Sequence, residues 1–155
     1  MPDGILIIDK PSDWTSMDVC AKLRGIFHEK RIGHGGTLDP MATGVLPVFI
    51  GRATRAVEFA EKSDKEYVAS LRLGQVTDTQ DSTGTVLEEH PVPAAPAAAV
   101  AALLPHFTGT IDQIPPMYSA IKIHGQKLYQ LARKGREVER PARQITIREL
   151  ELLEP

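Results

Sequence analysis

One carboxylate in this chain stands where a carboxylate can be aimed. Asp39 lies between Leu38 and Pro40, inside the stretch Gly33-His34-Gly35-Gly36-Thr37-Leu38-Asp39-Pro40-Met41-Ala42-Thr43-Gly44. Four glycines and a proline in twelve residues build neither a helix nor a strand interior. The stretch therefore reads as a shaped loop that brings backbone close to something. It also carries one histidine, His34, and the hydroxyls of Thr37 and Thr43. An acid whose direction is restricted by an apolar neighbour and a proline suits nucleophilic or basic catalysis. Asp-Pro is equally a common way to start a turn, and on those two residues alone the turn is the better reading.

Other chemistry-bearing residues are sparser. Asp78 and Asp81 share the polar loop 74–84, a pair that would suit a glycosidase acid and base, although such loops are more often solvated turn chemistry. His28, His34, His90, His106 and His124 are scattered without the Cys/His spacing of a zinc site. The single Cys20 rules out an internal disulfide and fits a reducing compartment. No basic N-terminal region precedes an apolar core, and no apolar run nears the roughly 20 residues that span a bilayer. The expectation is a soluble, cytoplasmic chain with no membrane partner. At 155 residues, 42% apolar and 25% charged, it is long enough for one domain with a real core.

The elements that must position these residues follow from pattern. Gly4 to Asp9 is a short apolar run that reads as a buried strand. Thr15 or Ser16 caps a following helix whose Val19, Leu23, Ile26 and Phe27 form one apolar stripe. Its other face and end carry Lys22, Arg24, His28, Lys30 and Arg31. Val45 to Ile50 reads as a second buried strand, with Pro47 placing it at an edge or bulge. A short helix is expected over 54–62. Lys65 to Leu73 alternates with period two, Tyr67, Ala69, Leu71 and Leu73 on one face, as a strand does.

Farther along, a strand is expected over 85–88 and a helix from Pro96 to about Leu104. Segments 110–116 and 118–123 have extended character, with a turn at His124-Gly125. A helix over 127–134 would use Leu128 and Leu131 and end at Gly135. The last strand has Ile145 and Ile147 in phase and Leu150 and Leu152 one step out, which implies a bulge near Arg148 or Glu149. Between Lys122 and Arg148 eight bases face only Glu137 and Glu139. The net charge of -2 thus hides a basic C-terminal third, an asymmetry that steers a polyanion. No repeat and no domain boundary is evident.

Taken whole, the loop resembles the signature of the TruB-type tRNA pseudouridine synthases, whose Gly-His-x-Gly-(Thr/Ala)-Leu-Asp-Pro-x-Ala-x-Gly block Gly33 to Gly44 match position by position. Asp9-Lys10-Pro11 with Thr15-Ser16 is similar to the family's N-terminal element. Lys65-Glu66-Tyr67, then Thr77-Asp78-Thr79 and Asp81 to Gly84, resemble its second block. Gln113 to Ala120, with Lys122, Gly125, Leu128-Tyr129 and Ala132-Arg133, resembles the block after that. Four blocks in order along nearly the whole chain far outweigh any single motif. Asp13 departs from a common family glycine, with a local effect expected, since Asp tolerates a left-handed turn.

The resemblance implies a pseudouridine synthase fold, α+β, with a mixed, largely antiparallel sheet and flanking helices. Residues 1–155 would form a catalytic domain incomplete at its C-terminus. A strand whose arginine pairs with the catalytic aspartate, and a C-terminal RNA-binding region, would lie beyond Pro155. The implied activity is isomerisation of the T-loop uridine of tRNA, with tRNA as partner, no cofactor and no obligate protein partner. Asp39 would be the catalytic carboxylate, acting as nucleophile or as base on the sugar. His34 would fill the gap left by the flipped base and Tyr67 would stack on it, with Gly36, Thr37 and Asp81 at the substrate. Lys10, Arg31, Lys127, Arg133, Lys134 and Arg136 would meet RNA phosphates. Two rivals remain: a fragment that binds RNA without turnover, and a carboxylate-pair glycoside hydrolase, against which an aromatic content of 5% argues.

Overall fold

Gly4–Lys10 forms strand β1, and its alternation buries one face only. Leu6 and Ile8 pack on the core, whereas Ile5 and Ile7 are exposed. The run expected to be fully buried is thus a half-buried strand. The computed structural model describes residues 3–119, 121–123 and 125–153. The chain divides into two compact units, Met1–Val68 and Ala69–Pro155, at a point the sequence does not mark.

In the first unit the Lys10-Pro11 break leads to helix α1, Ser16–Phe27. Thr15 starts it with a reciprocal cap: its hydroxyl accepts from the Asp18 amide at 3.1 Å, and the Asp18 carboxylate accepts from the Thr15 amide at 2.8 Å. His28, at φ 51°, ends it in the left-handed conformation. Val19, Cys20 and Leu23 are its buried apolar positions and Phe27 packs beside them. Ile26, expected on that stripe, is 57% exposed in the last turn.

Strand β2, Ile32–His34, and strand β3, Gly44–Ile50, complete an antiparallel sheet in the order β1-β3-β2. Ile32, Leu46, Val48 and Ile50 meet the buried side of α1 in a single core. Pro47 therefore lies in the central strand, not at the edge or bulge its missing N–H implies. The register explains how. Its carbonyl accepts from the Gly35 amide on the β2 side, so its nitrogen also faces that side, beyond His34 where β2 has ended. The ladder to β1, where Pro47 sits opposite Ile7, loses nothing. A 3-10 turn at Gly51–Ala56 and the short helix α2, Val57–Glu61, follow.

The strand expected over 65–73 is absent. Residues 64–73 hold no regular structure, and no described strand pairs with them. Tyr67 and Leu71 stand 66% and 73% exposed. Alternation specifies a strand face only where the segment pairs with another, and no described strand pairs with this one.

The described strands of the second unit form two-stranded antiparallel pairs. Strands β4, Gln75–Thr77, and β5, Val86–Glu89, pair antiparallel, so a strand forms inside the loop read over 74–84. Helix α3, Pro96–Leu103, starts on its proline as expected and buries no residue fully. Strand β6, Gly109–Gln113, pairs with β9, Arg143–Ile147. Between them run β7, Lys122–Ile123, β8, Gln126–Lys127, and helix α4, Leu128–Ala132. Leu128 and Leu131 are buried, and Gly135, at φ 65°, closes the helix end. Of the expected His124-Gly125 turn, His124 lies outside the described residues. The final strand stops at Ile147, with no bulge and no strand at Leu150 or Leu152. Its partner β6 begins at Gly109, opposite Ile147, so the ladder has run out. The class is α+β and every described pairing is antiparallel.

Candidate active site

The glycine loop connects β2 to β3, and its neighbours on both sides hold it down. Gly36, at φ 103°, and Gly44, at φ 110°, supply backbone conformations closed to most residues. His34 donates through Nδ1 to the Gly36 carbonyl. A carbonyl only accepts, so Nδ1 carries the proton and Nε2 is left as the second ring position. Gly35 donates its amide to Pro47 at 2.9 Å. A Cβ on Gly35 would meet the Ala60 Cβ at 2.7 Å and Phe49 Cε2 at 2.9 Å, so the loop leaves the sheet through a space only glycine fits.

The segment around Asp39 is gripped more firmly. Leu38 packs its side chain on the core. The Ser16 hydroxyl accepts from the Leu38 amide at 3.0 Å and donates to the Leu38 carbonyl at 3.3 Å. On the other side of Asp39, the Pro40 carbonyl accepts from Lys10 Nζ at 3.1 Å and from the Asp13 amide at 2.8 Å. Asp13 takes the left-handed conformation expected for it, φ 66°. The Asp39 carbonyl accepts from the Ala42 amide at 3.0 Å, closing a turn. Asp39 does start a turn, and its carboxylate is also exposed. Among the described residues that carboxylate has no hydrogen-bond partner and no cation within ion-pair distance. The backbone is fixed on both sides while the acid is left free to act on something else.

Lys10, expected at an RNA phosphate, is corrected by its surroundings. It is 0% exposed, and Nζ donates to the carbonyls of Pro11 at 2.8 Å, Trp14 at 2.6 Å and Pro40 at 3.1 Å. Three donations use all three N–H groups of an ammonium, leaving none for an anion. Lys10 ties the Pro11–Trp14 turn to the Asp39 loop. Arg31 is exposed, with Glu29 at 3.8 Å from its Nε, and can meet solvent anions. The structure thus brings Lys10, Ser16, His34, Gly36 and Asp39 into one loop assembly, with Thr37 exposed upon it. Tyr67 belongs to the same unit but stands on the unpaired segment.

Asp81 and the basic residues lie in the second unit. Asp81 Oδ1 accepts from Thr79 Oγ1 at 2.7 Å, the Thr83 amide at 2.8 Å and Thr83 Oγ1 at 2.6 Å. Partial burial pushes its pKa up, but the hydrogen bonds from Thr83 and Thr79 outweigh that and hold the carboxyl below its ordinary range. Asp78 accepts from the Thr85 amide at 2.8 Å. Both acids are committed to ordering the β4–β5 connection, which is turn chemistry and not a free acid/base pair. At α4, the Tyr129 ring has Lys127 Nζ at 5.7 Å and the Arg133 guanidinium at 5.3 Å from its centroid. Arg133, Lys134 and Arg136 are exposed, and none of them forms an ion pair among the described residues.

Ser16 is the residue that sequence reasoning missed. A hydroxyl at a helix start reads as a cap, and the signal against that was that Thr15, one residue earlier, already caps. Among the described residues no group of three or more His, Cys, Asp or Glu side chains could hold a metal ion. No helix among them is long and apolar enough to cross a membrane.

Comparisons with known proteins cover most of the chain. The family model described as TruB family pseudouridylate synthase (N terminal domain) matches residues 24–155. The tRNA pseudouridine synthase B of Heliobacterium mobile is 51% identical over 152 residues, 98% of this chain and 49% of its own length. That of Moorella thermoacetica is 52% identical over 150 residues, 97% of this chain and 49% of its own. The chain therefore spans about half the length of the curated relatives it matches. Among solved structures, one of a Cbf5-Nop10-Gar1 complex is similar with a TM-score of 0.51 and 29% identity, over 77% of this chain and 31% of that one.

Proposed function

Because this chain belongs to the TruB family of pseudouridylate synthases, we propose that it carries the catalytic aspartate of a tRNA pseudouridine synthase acting on the T-loop uridine in the cytoplasm. The observation that carries this reading is Asp39: an exposed carboxylate, without a partner among the described residues, whose neighbours on both sides are fixed to other elements. The relatives' name, tRNA pseudouridine synthase B, supports the substrate.

The reaction breaks the C1′–N1 bond of a uridine, turns the base and forms a C1′–C5 bond, while the C5 hydrogen leaves and N1 gains a proton. A stacked uridine is out of reach, so the nucleotide must be flipped, at a cost of about a few kcal/mol that is lowest in an open loop. His34, tied to Gly36, would fill the vacated space. Tyr67 would stack on the extruded base, worth about 1–3 kcal/mol. Its exposure leaves that ring face available. Gly36 and Thr37 leave room for close approach of the ribose. Asp39 then acts at the sugar as nucleophile or as base. Arg31, Lys127, Arg133, Lys134 and Arg136 would contact phosphates, setting affinity and register more than sequence choice. Asp81 contributes by ordering its own turn.

Replacing Asp39 with Asn tests the reading. Tritium release from 5-tritiated uridine in a T-arm stem-loop should fall to background, while RNA binding changes by less than about threefold. Full release by the Asn variant would overturn the role of Asp39. RNA binding without release by the unmodified chain would favour the binding-only alternative.

A further inference from the structure

We propose that Ser16 is a positioning residue for Asp39, acting through Leu38. This inference rests on the reading of Asp39 as the catalytic group.

Ser16 is the first residue of α1, and a hydroxyl there ordinarily serves the helix. Here the helix has no use for it, because Thr15 and Asp18 satisfy the terminus reciprocally. Ser16 is 2% exposed and directs its hydroxyl across 22 residues of sequence to Leu38. Both hydrogen-bonding functions of that hydroxyl meet one residue: Oγ accepts from the Leu38 amide and donates to the Leu38 carbonyl. A single side chain therefore pins both backbone polar groups of the residue before Asp39.

That grip matters because of what lies beyond it. The Leu38 side chain is anchored on the core, and the Pro40 carbonyl is held by Lys10 and the Asp13 amide. Between them only the Asp39 side chain is unrestrained. Gly36 and Gly44 take positive φ and carry no side chain to restrict them, so the loop depends on holds from outside itself. Ser16 supplies on the N-terminal side of Asp39 what Lys10 supplies on the C-terminal side. A carboxylate misplaced by about 1 Å loses on the order of 10²-fold in rate without losing substrate affinity.

The test compares three variants of the full protein. Ser16→Ala should lower kcat by about 10- to 100-fold with KM and RNA Kd within about threefold, and should speed hydrogen exchange at the Leu38 amide. Ser16→Thr, which keeps the hydroxyl, should recover most of kcat. Thr15→Ala, which weakens the same helix end without touching Leu38, should lower the unfolding midpoint and leave kcat unchanged. The proposal is overturned if Ser16→Ala keeps wild-type kcat, if Thr15→Ala loses kcat equally, or if exchange at Leu38 is unaltered. An active Asp39→Asn variant would bring down the functional reading itself. An inactive Asp39→Asn beside a fully active Ser16→Ala would bring down only the role of Ser16.

Discussion

Replacing Lys10 with methionine separates a structural ammonium from a phosphate-binding one. Methionine preserves the length of the stem in its fully buried channel and removes the charge. The loss is three hydrogen bonds to the carbonyls of Pro11, Trp14 and Pro40. Each bond to a charged group contributes about 1.5–3 kcal/mol net, so the three together would contribute roughly 5–9 kcal/mol. Against this stands the penalty for keeping an ammonium out of water, several kcal/mol that the variant no longer carries. The acceptors are near the surface and regain water on relaxation. The balance is a destabilisation of about 2–4 kcal/mol. Urea unfolding should show a lower midpoint at unchanged slope, and turnover should fall because Pro40 loses a partner. The dependence of RNA affinity on salt should not change, because no phosphate contact has been removed. A wild-type unfolding midpoint, joined to a salt slope reduced by about 0.7–0.9, would refute the reasoning and return Lys10 to the RNA.

Gly35→Ala should destabilise the first unit by about 1–3 kcal/mol, since its Cβ would press on Ala60 and Phe49, and thermal unfolding would show it. An unchanged midpoint would mean that the loop exit is looser than its contacts imply. The Asp18 carboxylate is held below its ordinary range, first by the Thr15 hydroxyl and then by the Thr15 amide. A depressed acid stabilises the fold above its unfolded value, near pH ~4, and loses that contribution as pH falls through its lower folded value. The pH dependence of unfolding should therefore show an acid limb below about pH 4 that Asp18→Asn weakens, and an identical limb in the variant would place the effect elsewhere.

Local pattern carried the elements whose partners lie in the same unit. The apolar runs that became β1 and β3, the capped start of α1 and the Leu128/Leu131 face of α4 needed only periodicity to be read. The misreadings share a physical cause: a strand is a relation between two segments, and sequence shows one segment at a time. Residues 65–73 alternate like a strand and find no described partner. Leu150 and Leu152 fall past the end of β6. Pro47 looked like an edge residue because its missing N–H was visible and the early end of β2 was not.

The site shows the same division between local and distant information. Asp39 was legible only through the whole block Gly33 to Gly44, since Leu38 and Pro40 alone read as a turn. The groups that hold its neighbours were not, because Ser16 reaches Leu38 from 22 residues away and Lys10 reaches Pro40 from 30. Each has a bland local reading, a helix cap for Ser16 and a surface cation for Lys10, and burial decides against both. A glycine-rich loop has the freedom to approach RNA closely, but that freedom also lets an acid wander. Clamping the backbone at Leu38 and Pro40, with no described partner on the Asp39 carboxylate, resolves the conflict. The loop stays open at Gly36, where a Cβ would meet nothing within 4 Å, and is held over the residues on either side of the carboxylate. Loss of either clamp should therefore appear in kcat before it appears in affinity, which is the signature that separates aim from binding.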